Sequence, residues 1–210
     1  MRQLEKRFVK GMELRLDEPK DGTPKLSGYI ALFNSLSPVY GEGSYRWREK
    51  IAPGAFAESI TRDDIRGLWN HENDLVLGRL SAGTLRLTED EKGLAFDNDP
   101  PDTSWFRDRA VSLRRKDVTG SSFGFFTDPN GDEWETDEEG VQVRTLKKLT
   151  LVEVSPGVTF PFYPDTSTEV ALRSMNEWLE REKNRVPQDR ADAVDMELRE
   201  RRLRMQRLTL

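Results

Sequence analysis

The hydrophobic pattern changes period once along this chain, near residue 170, and that change limits the folds open to it. Before it, apolar residues come in short runs separated by Gly, Pro and Asp. Met12, Leu14 and Leu16 alternate with Glu13 and Arg15, which places the apolar set on one face of a half-buried strand. Pro19 to Pro24, with Asp21-Gly22 inside, reads as the turn that follows. Further runs cover Leu26 to Phe33, Leu75 to Leu87 with a break at Ser81-Ala82-Gly83, and Gly93 to Phe96. Val118 to Phe126, Val141 to Thr145 and Leu149 to Val154 bring the total to about seven strands, a number that suits a barrel or a sandwich. Two helices interrupt the strands. Pro53 to Ile60 reads as a loop entering a short helix. Asp102 or Thr103 caps a second one running to about Lys116, with Phe106, Ala110 and Leu113 facing the core.

From Met175 onward Glu, Arg and Lys dominate. Ala191, Val194, Leu198, Met205 and Leu208 follow a three-four alternation in which Arg201 occupies the missing position. The chain is therefore expected to divide into a β unit at 1–170 and a charged helical tail at 171–210, with Pro187 breaking the tail in two. A solvated helix packed on its own domain, self-association and docking on a partner all fit that seam.

With 33 Lys+Arg against 38 Asp+Glu, the net charge of −5 argues against a general nucleic-acid binder. No apolar run approaches the roughly 18 residues needed to span a bilayer, and the N-terminal stretch lacks a secretory apolar segment, so no membrane partner is expected. The chain has no Cys and a single His, His71, which rules out disulfides and His/Cys zinc sites. A serine hydroxyl needs a base that titrates near neutrality, and His71 is the one imidazole present.

Gly120-Ser121-Ser122-Phe123-Gly124 formally matches Gly-x-Ser-x-Gly, with Ser122 at its centre. The residues after it, Phe125 to Asp132, read as a strand end and a turn. The strand-to-helix elbow of an α/β-hydrolase is therefore absent, and Ser122 lies on or beside a strand. Ser121 is the rival nucleophile, and both serines also suit close packing between strands. For the group that orients His71, Glu153 stands out because it interrupts the apolar run Leu149 to Val154, where an unpaired carboxylate is costly. By simple alternation Glu153 shares a face with Leu151, which also allows an outward position on an edge strand. Glu72 and Asp74 are nearer in sequence, but neighbours seldom point back at the ring.

Five segments together resemble the prohead (capsid maturation) serine proteases of tailed phages, the family typified by phage HK97. They are Gly28 to Asn34, Glu49 to Phe56, Asn70-His71 leading to Leu77-Gly78-Arg79, Gly120 to Phe125, and Leu151 to Ser155, in the family's order over roughly residues 8 to 172. The resemblance implies a mainly β fold with flanking helices, a β-barrel like that of the herpesvirus assembly proteases, followed by the charged tail. It implies a serine endopeptidase with Ser122 as nucleophile, His71 as base and Glu153 as the third member, where the herpesvirus enzymes use a second histidine. The family places its serine directly before Phe-Gly, which favours Ser122 over Ser121. No cofactor is implied.

Major capsid protein and scaffold would be the substrates, with self-cleavage, inside the assembling prohead in the host cytoplasm. The tail would recruit the enzyme, self-associate or be removed. The oxyanion donors stay open between backbone N–H groups and an arginine. A catalytically inert assembly protein with the same barrel, and a hydrolase of small esters, are the competing readings.

Overall fold

The computed structural model describes residues 3–9, 14–17, 24–159 and 170–183. The chain divides into two compact units, Met1–Val170 and Ala171–Leu210. A helix at 170–183 opens the second. Met12, most of the Pro19–Pro24 turn, Pro187 and the heptad-like seam lie outside the described residues.

Among the described residues the first unit is mainly β, with two α-helices and one turn of 3-10 helix at Gly43–Tyr45. Its elements are β1 (Glu5–Val9), β2 (Arg15–Asp17), β3 (Lys25–Leu32), β4 (Trp47–Ile51), α1 (Ala57–Arg62), β5 (Arg66–Trp69), β6 (Glu72–Arg79), β7 (Leu85–Glu89), β8 (Gly93–Asn98), α2 (Ser104–Arg114), β9 (Gly120–Thr127), β10 (Asp132–Thr136), β11 (Gln142–Leu146) and β12 (Leu149–Val158). The strands form three sheets, ordered β1-β9-β12-β5-β6, β2-β3-β8-β7 and β10-β11-β4. Among the described residues no ring of pairings closes them into one barrel ladder. Their inner faces meet over a common core that includes Leu26, Ile30, Phe56, Phe96, Phe106 and Phe123.

The described residues hold twelve strands, and the four with no counterpart among the runs read from sequence are β1, β4, β5 and β10. β1, β4 and β10 are rich in charge, as in Trp-Arg-Glu-Lys-Ile and Asp-Glu-Trp-Glu-Thr. Their charges are accommodated by ion pairing across strands. Arg144 on β11, 1% exposed, donates to Glu5 on β1 at 2.7 Å, to Glu49 on β4 at 3.1 Å and to Asp132 on β10 at 2.7 Å. Arg7 on β1 donates to Glu49 at 2.6 Å and to Glu5 at 2.8 Å. Burial pushes the Glu5 carboxyl up, but the guanidiniums of Arg144 and Arg7 outweigh it and hold the group below the usual carboxylate range. This network joins β1, the edge strand beside β9, to the three-stranded sheet.

Helix α2 buries Phe106, Ala110 and Leu113, as their spacing predicts. Thr103 is its N-cap residue, but its hydroxyl makes no capping bond, and Asp102 instead pairs with Arg107.

Candidate active site

Strand β9 is buried along Gly120 to Phe125, and its alternation sorts the two serines onto opposite faces. Ser121 lies on the face of Phe123 and Phe125. These rings pack into the core, with Phe123 edge-on to Phe56 at 5.5 Å and 5.2 Å from Phe125. The Ser121 hydroxyl is buried there without a hydrogen-bond partner. Ser122 lies on the opposite face with Gly120 and Gly124.

Both glycines of the Gly-x-Ser-x-Gly pattern have a steric reason here, and it is not an elbow. A Cβ on Gly120 would stand 2.1 Å from the Phe8 ring, and one on Gly124 would stand 2.7 Å from Glu153 Oε1. The glycines leave room on either side of Ser122 for an aromatic ring and a carboxylate.

Glu153 reaches that face through a β-bulge. In the β9–β12 pairing Leu151 opposes Phe125, Glu153 opposes Gly124 and Ser155 opposes Ser122, so Val152 is the extra residue. The bulge breaks the simple alternation. Leu151 and Glu153 do not share a face: Leu151 stays in the core, and Glu153 is turned toward Ser122. Nor is β12 an edge strand, since it lies between β9 and β5.

His71 is delivered by the tight turn of the β5–β6 hairpin. Trp69 and Glu72 pair, and the two residues between them, Asn70 and His71, have φ of 50° and 62°. That is the type I′ loop, which needs left-handed backbone at both positions and usually carries glycine at the second. A β-carbon in that region costs about 1–2 kcal/mol, so His71 is held in a conformation it would not choose alone.

The His71 ring stands 2.7 Å through Nδ1 from Glu153 Oε1. Beside a carboxylate Nδ1 carries the proton and donates it, which leaves Nε2 as the acceptor. Nε2 is buried and has no hydrogen-bond partner. Ser155 completes the group. Its Oγ accepts the His71 backbone N–H at 3.1 Å, donates to Glu153 Oε2 at 2.8 Å and lies 3.4 Å from Nδ1.

Ser122 shares the face of this group but is not bonded to it. Ser122 is 2% exposed, and its hydroxyl donates to the Arg7 carbonyl oxygen of β1 at 2.8 Å. Glu72 and Asp74 belong to β6 and have no hydrogen bond to the ring. Two cavities flank the region. One of about 470 Å³ is lined by Arg7, Phe8, Leu36, Tyr40 and Glu49 among others, and one of about 450 Å³ by Trp69, Asn70, Asp74 and Arg109 among others. Neither is lined by Ser122, His71 or Glu153. Among the described residues no three His, Asp or Glu side chains converge as a metal-holding group, and no helix is long and apolar enough to cross a membrane.

Ser155 was missed as a site residue by the sequence reading, although the signal was present: in a strand, a residue two beyond Glu153 shares its face. The Arg7 carbonyl had no sequence signal at all.

The family of caudovirus prohead serine proteases matches this chain over residues 10–181, which takes in every side chain of the His71, Glu153, Ser155 and Ser122 group. No curated protein and no solved structure matches it.

Proposed function

We propose that this chain, which belongs to the caudovirus prohead serine protease family, is a serine endopeptidase with Ser122 as nucleophile, His71 as general base and Glu153 as the group that holds His71. One observation carries this reading: the His71–Glu153 pair stands on the face of β9 that bears Ser122, and its Nε2 has no hydrogen-bond partner. In the resting state Ser122 donates to Arg7 instead. Rotation about its Cα–Cβ bond releases Arg7 and turns Oγ toward Nε2. His71 takes the hydroxyl proton as Oγ attacks the scissile carbonyl, then returns it to the leaving amine. Water hydrolyses the acyl-enzyme with the same base. Glu153 fixes the tautomer and balances the imidazolium charge in each half-reaction.

The substrates are scaffold, or a scaffold-like segment of the major capsid protein, and the chain itself, cut inside the assembling prohead in the host cytoplasm. Residues 1–170 hold the catalytic centre, and the charged tail at 171–210 brings the enzyme to scaffold or capsid protein, self-associates or is trimmed. Normal packaging of a chain lacking 175–210 would count against recruitment by the tail.

The Ser122–Arg7 bond favours a second reading, a catalytically inert assembly protein on the same scaffold, because it points the hydroxyl away from His71. Co-expression with the capsid protein, wild type against Ser122→Ala, read by intact-mass spectrometry, separates the two. Shortening by the wild type alone supports the protease. No shortening by either, in the presence of formed proheads, favours the inert role.

A further inference from the structure

The hydroxyl of Ser155 is fully buried, and the bonds it makes as acceptor and as donor both go to the His71–Glu153 pair. One lone pair accepts the backbone N–H of His71, a residue in a left-handed turn conformation. The proton goes to Glu153 Oε2, the oxygen that does not bond the ring. Nδ1 stands 3.4 Å away. A serine that only filled space would need one partner. This one ties the main chain of the base to the side chain of the acid, two elements that the sequence places 82 residues apart.

We infer that Ser155 is a positioning residue, whose hydroxyl locks the strained His71 turn and the Glu153 carboxylate into one register so that Nε2 faces Ser122. This rests on the proposed Ser122–His71–Glu153 mechanism. The bulge at Val152 turns Glu153 onto this face, and a carboxylate on a bulged strand has free rotamers unless something pins its second oxygen. Among the described residues the other polar contact of the Glu153 carboxylate is Nδ1 itself. Without Ser155, Oε1 and Nδ1 would hold each other with the second oxygen unpinned. The turn would also lose the acceptor of its part-buried His71 N–H.

The test uses the full-length protein, with a fluorophosphonate as the probe and two readouts. The first is the rate at which the probe phosphonylates serine, with the modified residue mapped by mass spectrometry. The second is the downfield proton resonance of the His71 Nδ1–H, which has no competitor because the chain has one histidine. In the wild type, labelling at Ser122 and a downfield resonance are expected. Ser155→Ala should label at least tenfold more slowly and lose or broaden the resonance. Ser155→Thr, which keeps the hydroxyl, should recover both.

Wild-type labelling rate and an unchanged resonance in Ser155→Ala would overturn the inference, as would labelling found on Ser155. If the wild type is not labelled, the nucleophile assignment fails. The resonance then still decides whether Ser155 holds the pair: it supports the inference if lost in Ser155→Ala and restored in Ser155→Thr, and overturns it if unchanged.

Discussion

Replacing Gly124 with alanine tests the site through a single methyl group. A Cβ there lies 2.7 Å from Glu153 Oε1, whereas ordinary contact begins at 3.4 Å, so the carboxylate must retreat by about 0.7 Å. It cannot do so freely, because Oε1 is 2.7 Å from His71 Nδ1 and Oε2 is 2.8 Å from Ser155 Oγ. A displacement of that size takes at least one bond out of the range in which hydrogen bonds are effective. Loss of a charge-assisted bond costs about 1.5–3 kcal/mol, while alanine returns about 0.5–1 kcal/mol by narrowing the unfolded ensemble. The net expectation is about 1–2 kcal/mol of lost stability, measured by urea unfolding. With the orienting carboxylate displaced, reactivity of Ser122 toward a fluorophosphonate should fall about 10- to 100-fold, since each 1.36 kcal/mol of transition-state stabilisation is tenfold in rate. A Gly124→Ala protein with wild-type stability and wild-type labelling rate would refute the reasoning: Glu153 would then have slack, and its contact with His71 would not set the reactivity.

Three further outcomes follow from the buried groups. Arg144→Met removes the cation that Glu5, Glu49 and Asp132 share, and removing one partner of a buried ion network costs about 3–5 kcal/mol, to be read from urea unfolding at pH 7. Because the folded-state pKa of Glu5 is depressed, its contribution is present above the unfolded carboxylate value of about 4.3 and is lost as pH falls through the lower folded value. Stability measured from pH 7 to pH 3 should therefore drop below about pH 4.3, and the slope of that drop should be shallower in Glu5→Gln. Ser121→Ala removes a buried hydroxyl with no partner from the core face, so it should be neutral or stabilising by up to about 1 kcal/mol in thermal unfolding, and phosphonylation should proceed at the wild-type rate. A large loss of labelling in that variant would restore Ser121 as the nucleophile.

What the sequence determines by itself is whatever depends on near neighbours. Alternation within Gly120 to Phe125 already separates Ser121 from Ser122, the 3–4 spacing of Phe106, Ala110 and Leu113 describes α2, and a single imidazole makes His71 the one candidate base for a Ser-His pair. Tertiary structure decides the rest, because the determining partner lies far along the chain. β1 and β4 look too charged to be packed strands until Arg144 is seen to bond Glu5, 139 residues away, and Glu49, 95 away. Glu153 shares a face with Leu151 by counting, and only the register against β9 shows the bulge at Val152 that turns it to His71. The left-handed Asn70-His71 turn and the hold of Ser155 on it depend on two strands meeting in space, since a hydrogen bond between them has no period to leave in the sequence.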